Sequence, residues 1–292
     1  MGGCLCRCRS LSIINCRACA HTGVGYNSRM VTSVSGGDVR RSLEQLAPPS
    51  LAESWDNVGW QVGNDDFTVT GVLVTVDVDA SVVEEAIKLG ANLIVAHHPL
   101  FFRPLKQIDP ATFQGQLIKT LLRHDLYVYT AHTNLDAVPE GVNGALANAL
   151  GVTLRQPLIP IRGAAEGCGW GAICELLPQP TSWFVERVAE RLGTPAPRVT
   201  PGVGAPPVHS RIAIMGGSGG GFSADVKRAD CSLYITGEIK YHDAQDAARL
   251  GITVIEADHY YSERPVLNLL VERIAAYGIP VYPSQVVTTP YD

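Results

Sequence analysis

Four polar clusters, each closing an apolar run, hold the side chains best suited to chemistry: His97 and His98; His132 to Asp136; Glu238 with His242 and Asp243; His259 to Glu263. Neutral imidazole is the commonest metal-binding side chain and titrates near neutrality. Parallel α/β sheets place such groups together, because their ligands sit at the strand carboxyl ends. Carboxylates brought into one buried cleft without compensation cost several kcal/mol each, and a divalent cation supplies that compensation. Mixed imidazole and carboxylate donors with no cysteine suit zinc, iron, manganese or cobalt. The donors outnumber one tetrahedral set, which favours two metals about 3.5–4 Å apart. Each cluster also has a plain structural use. His132 could bond the backbone of the TNLD turn, and Asp136 could be an Asx-turn residue. Glu238, His242 and Asp243 could be a solvated helix start, Glu263 could favour a helix N-terminus, and His259 and Glu263 could be an incidental i,i+4 pair. Their joint occurrence at matching places carries the metal reading.

The elements that must position these groups are legible as apolar runs. Residues 71–78, GVLVTVDV, read as a strand with Asp77 near its end; a helix runs from Ser81 to Leu89 and stops at Gly90. Leu93 to Ala96 form the next strand, cut off by His97, His98 and Pro99. This βαβ unit implies a parallel pair with a right-handed crossover. A helix over 112–124, a strand over 126–131 running into HTNLD, and a helix over 142–150 follow. Upstream, a helix opens at Gly37–Asp38 with Asp38 as N-cap. The turn SWDNVGWQVG, 54–63, uses Asp56 and Asn57 as turn formers and Trp55 and Trp60 as core anchors. Prolines interrupt 155–210, where only a helix from Trp183 to Leu192 and a strand near 171–176 stand out.

The second half repeats the plan. Strands over 211–216, 231–243 and 252–263 match the three of the first half in order, and the latter two end in polar residues. A helix from Pro265 to Tyr277, capped by Ser262, and a strand over 279–282 complete it. The expected fold is α/β, with two related lobes whose mixed, largely parallel sheets face a shared cleft. The expected division is 37–155 for the first lobe, 156–210 for an irregular connection and 211–292 for the second lobe. The loop GGSGGG, 216–221, lies between strand and helix, so its N–H groups could cradle a phosphate. It is neither a dinucleotide fingerprint nor a Walker loop, and a plain turn is the other reading.

The net charge of −5 argues against a broad nucleic-acid surface, and no run is long and apolar enough to cross a bilayer. Residues 1–37 differ from the rest: no acid, four Arg and five of the eight cysteines, including the CxxC of Cys16 and Cys19. His21 could complete a zinc set on paper, and an acid-free leader also resembles a transit peptide. The favoured expectation is a start at Met30 or a disordered extension over 1–36. Cys168, Cys174 and Cys231 are scattered, as in a reduced, cytoplasmic protein.

WDNVGWQVG, AHHPLFF, AHTNLD, GGSGGG, GEIKYHDA and DHYYSE, in this order over about residues 36–292, resemble the Nif-three-like family, often labelled GTP cyclohydrolase I type 2 homologues. The resemblance implies two α/β lobes, a dinuclear metal site between them and a homohexamer built as a trimer of dimers. By motif the ligands would be His97, His98, Asp136, His259 and Glu263, with Glu238 and His132 as neighbours able to shuttle protons. Asp258 stands where the family's GHY-like motif has glycine. The implied activity is metal-dependent hydrolysis of a nucleotide or related heterocycle. The competing expectation is a non-catalytic metal-binding hexamer that acts as scaffold or metal-delivery protein for a protein partner.

Overall fold

Short, strongly apolar runs build two sheets in the computed structural model, which describes residues 33–291. The cysteine-rich stretch and the start at Met30 lie outside the described residues. In chain order the elements are α1 (Gly36–Leu46), β1 (Gly59–Val62), β2 (Val72–Thr75), α2 (Ala80–Leu89), β3 (Leu93–Ala96), α3 (Phe113–Arg123), β4 (Tyr127–Thr130), α4 (Thr133–Asp136), α5 (Val142–Leu150), β5 (Thr153–Pro160), β6 (Gly169–Pro180), α6 (Thr181–Arg187), β7 (Arg198–Thr200), β8 (Val208–Ser218), α7 (Ser223–Arg228), β9 (Leu233–Glu238), α8 (Tyr241–Arg249), β10 (Thr253–Glu256), α9 (His259–Glu263), α10 (Val266–Ala275) and β11 (Val281–Pro283). A π-helical turn, Val188–Leu192, extends α6.

The sheets run β1-β4-β3-β2-β11 and β5-β6-β8-β9-β10-β7. The repeat is visible in their topology. In each, three consecutive strands (β2-β3-β4 and β8-β9-β10) are parallel neighbours. In each, the strand preceding the three returns antiparallel to the third: β1 beside β4, and β7 beside β10. Thr75, Ala96 and Thr130 are in register at the end of one triplet, and Ile235 and Thr236 align with Ile255 and Glu256 in the other. The residues just beyond therefore emerge along one edge per lobe. Helices cover both faces. Leu93 and Val95 pack toward α1 and α10 while Ile94 packs toward α2 and α3. In the second lobe Ile212 and Ile214 face α5 and α6, and Ala213 and Met215 face α7 and α8. Burial on both faces is why these strands read as continuous apolar runs.

Several expectations are corrected. The cap of α1 is Ser35, not Asp38: the Ser35 Oγ accepts the Asp38 N–H at 3.1 Å while Asp38 accepts the Ser35 N–H at 2.9 Å, a capping box. Residues 156–210 are not an irregular connection. They hold most of β5, all of β6 and β7, and α6; Pro157 and Pro160 are tolerated because β5 is an edge strand, and Pro178 falls in a register shift of β6. The strand expected over 252–263 stops at Glu256 and HYYSE is helical, capped by Asp258, whose side chain accepts from the Tyr261 N–H. Finally, α10 and β11 return to the first lobe: β11 pairs in parallel with β2, and Leu267, Leu270 and Ile274 join the cluster around α1. Ser262 does not cap α10; its Oγ donates to the His259 carbonyl at 2.8 Å.

The capping box gives a pH-dependent prediction. The Ser35 side chain and backbone, then Arg41, hold Asp38 down at about 2. A depressed carboxylate contributes stability above its ordinary range, and that contribution is lost as pH falls through about 2. Ser35→Ala is expected to lower stability by about 1 kcal/mol at pH 7. The difference from wild type should shrink toward pH 2 in urea titrations; an equal difference at both pH values contradicts it.

Candidate metal centre

The end of β3 delivers His97 and His98, and the end of β4 delivers His132, which α4 follows with Asp136 as its last residue. From the other lobe, α9 presents His259 and Glu263 one turn apart. Glu263 is the hub. Its Oε1 lies 3.1 Å from His259 Nε2 and 3.5 Å from His97 Nε2, and its Oε2 lies 3.0 Å from His98 Nε2. Asp136 Oδ1 is 3.7 Å from His97 Nε2. Donor atoms of His97, His98 and His132 all lie within 4.8 Å of one another, as do those of His98, His259 and Glu263.

Three rings are oriented from behind. His97 Nδ1 is 2.9 Å from the Ala131 carbonyl, His98 Nδ1 2.7 Å from Asp77 Oδ1, and His132 Nδ1 2.8 Å from Asp56 Oδ1. Each acceptor fixes a proton on Nδ1 and leaves Nε2 as the free donor, which is how metal-binding histidines are held. His97 Nε2 and Glu263 Oε2 are buried and close to each other's carboxylate and imidazole neighbours, yet neither makes a hydrogen bond of good geometry. Orphaned donor atoms of these types, converging, fit a divalent cation.

The electrostatics agree. Burial pulls the His98 imidazole down, but Glu263 and Asp77 outweigh it and push it up to about 11. His259, also opposed by burial, is raised to about 9 by Glu263, and His97 is raised by Glu263 and Asp136. Burial raises Glu263, but His98 and His97 hold it well below the carboxylate range. Burial raises Asp136. Without a metal, imidazole protons must balance the buried carboxylate, in the place a cation would take.

The five expected ligands His97, His98, Asp136, His259 and Glu263 are brought together. His132 faces the same centre, and Glu238, at the end of β9, has Oε1 3.5 Å from His259 Nδ1. His242 and Asp243 are not part of it: they lie on α8, where the exposed His242 ring meets Gln245 at 3.3 Å. Sequence reasoning missed Asp56 as the partner of His132 and Asp77 as the partner of His98. Asp77 had a signal, since it follows β2 at the edge where His97 follows β3. The glycine-rich loop has another use than phosphate. The N–H groups of Gly216, Gly217 and Gly219 already go to Asn143 Oδ1, Ser262 Oγ and the Glu238 carbonyl. Gly217, at φ +66°, lets backbone pass Glu263: a Cβ there would sit 2.2 Å from Oε1. Beside His259 opens a cavity of about 490 Å³ whose lining includes Glu238, Lys240 and Arg198.

The sequence profile of the Duf34/NIF3 (NGG1p interacting factor 3) family matches residues 34–290. A GTP cyclohydrolase 1 type 2 homolog of Streptomyces coelicolor is 34% identical over 264 residues, spanning 87% of this chain and 92% of that protein. A NIF3 homolog of Schizosaccharomyces pombe is 33% identical over 249 residues, 82% of this chain and 88% of that one. The crystal structure of a hypothetical protein of Staphylococcus aureus superposes with a TM-score of 0.79 at 29% identity, covering 89% of this chain and 99% of that one. Among the described residues no helix is long and apolar enough to cross a membrane.

Proposed function

The chain belongs to the Duf34/NIF3 family, and from that membership and its converging donors we propose that it is a metal-dependent hydrolase acting on a nucleotide or related heterocycle. The observation that carries the proposal is the pair of orphaned buried donor atoms, His97 Nε2 and Glu263 Oε2, at the meeting point of the two lobes. The residues fit two divalent cations, zinc, iron, manganese or cobalt. His97, His98, Asp136, His259 and Glu263 would hold them, with Glu263 at the centre of the set because its carboxylate faces three of the histidines. Such a pair supplies Lewis acidity and a water nucleophile at neutral pH. Asp77 and Asp56 keep the rings of His98 and His132 turned inward. Glu238, half-exposed at the mouth of the cavity, and His132, backed by Asp56, are assigned to proton handling. GTP is the first substrate to try, from the name the Streptomyces relative carries.

The homohexamer is part of the same proposal, and mass in solution tests it. For the activity, the full chain is purified without added metal, its metal content measured, and GTP ring opening assayed with each candidate metal restored. The expected result is metal-dependent turnover that Asp136→Ala abolishes. Full metal loading with no turnover above Asp136→Ala overturns the hydrolase reading and leaves a metal-binding scaffold.

A further inference from the structure

A second concave site lies on another face of α9. Its cavity, about 400 Å³, is walled by the turn ending α6, the α9–α10 junction and residues 283–287. Arg191 and Arg264 both line it, with Asn268 and Gln285 as further polar groups and Leu192 and Leu267 as an apolar wall. Among the described residues no carboxylate is part of its lining, and Glu85, behind it, accepts from the Ser284 hydroxyl and the Gln285 N–H at 2.9 Å. Both arginines are exposed, and among the described residues neither forms an ion pair. The Arg264 guanidinium reaches across to the turn that carries Arg191: its Nη1 is 4.0 Å from the Cβ position of Gly193.

We propose that this cavity is a ligand site, separate from the metal centre, for a small phosphate-bearing molecule gripped between Arg191 and Arg264. Guanidinium forks match the oxygens of a phosphate two at a time. Two guanidiniums without an ion-pair partner in one concavity set up a positive potential there. The volume exceeds that of a bare oxyanion and falls in the range of metabolite sites. The apolar wall then takes the organic part. The cavity beside His259 offers no equivalent: its Arg198 is paired with the buried Glu256, and Glu238 and Asp258 also line it.

Calorimetric titration of the full chain with inorganic phosphate and with AMP tests this, with metal content measured in parallel. Wild type and Asp136→Ala are expected to bind phosphate alike, and AMP more tightly than phosphate. Arg264→Gln and Arg191→Gln are each expected to weaken both by about tenfold or more with metal content unchanged. Arg191 lies in an exposed turn, so its variant keeps the test open if Arg264→Gln fails to fold. Absence of phosphate binding by wild type, affinity indifferent to both arginine substitutions, or loss of binding in Asp136→Ala overturns the site. None of these outcomes depends on whether GTP is turned over.

Discussion

Glu263→Gln is expected to strip the protein of divalent metal. Gln keeps the volume and removes the one charge that faces three imidazoles at once, at 3.1 Å from His259, 3.5 Å from His97 and 3.0 Å from His98. Losing an outer carboxylate behind a ligand histidine lowers metal affinity about 10–100-fold; losing the shared inner one should exceed that. Metal analysis after dialysis and competition with a chelator measure it, and a variant that keeps wild-type metal content removes Glu263 from the centre. The same change should weaken the metal-free fold. The imidazoles are raised because Glu263 is charged, so the pairing stabilises below the ordinary histidine range and is lost as pH rises through about 9 for His259 and about 11 for His98. Removing one partner of a buried ionic group destabilises by about 3–5 kcal/mol. Urea titration of chelator-treated protein at pH 6 should show most of it, with the deficit narrowing toward pH 10.

Gly217→Ala should damage the same centre without replacing a donor residue. The added Cβ would fall 2.2 Å from Glu263 Oε1 and 3.2 Å from His259 Nε2, on backbone at φ +66°. The strained backbone alone costs about 1–3 kcal/mol, and the Glu263 carboxylate must also shift to clear the added Cβ. Gly221→Ala separates the two effects: its φ is +84° and nothing lies within 4 Å of its Cβ position. Both variants are expected to melt lower, and only Gly217→Ala to lose metal. Retention of full metal content by Gly217→Ala would show that the loop does not constrain Glu263.

The parallel triplets were legible because both faces of each sheet are covered, so LIVA and LYIT stand out as unbroken apolar strings. The helix Val142–Leu150 was legible with its bounds, because Gly151 in the left-handed region ends it. The side chains that converge were legible as the polar residues that halt those strings, and the resemblance named five of them as proposed ligands. What could not be read locally depends on distant partners. Asp56 looks like a turn former until His132, 76 residues on, comes to lie against it. HYYSE looks like the tail of a strand because its aromatic residues suit one; Asp258, at φ +66°, turns the chain and caps a helix instead. The apolar face of α10 was plain, but a face does not say which sheet it will meet.

That return of the chain sets a timetable for biosynthesis. β11 supplies the edge of the first sheet next to β2, and a few residues later the Thr288 hydroxyl donates to Asp77, the carboxylate behind His98, across 211 positions of sequence. A nascent polypeptide whose residues beyond 280 are still inside the ribosomal tunnel has every proposed ligand already synthesised, yet lacks the strand and the threonine that finish the ligands' surroundings. Contacts of such long separation form late. Cation capture is therefore expected to wait until residues 281–288 have joined the first lobe and set Asp77 behind His98.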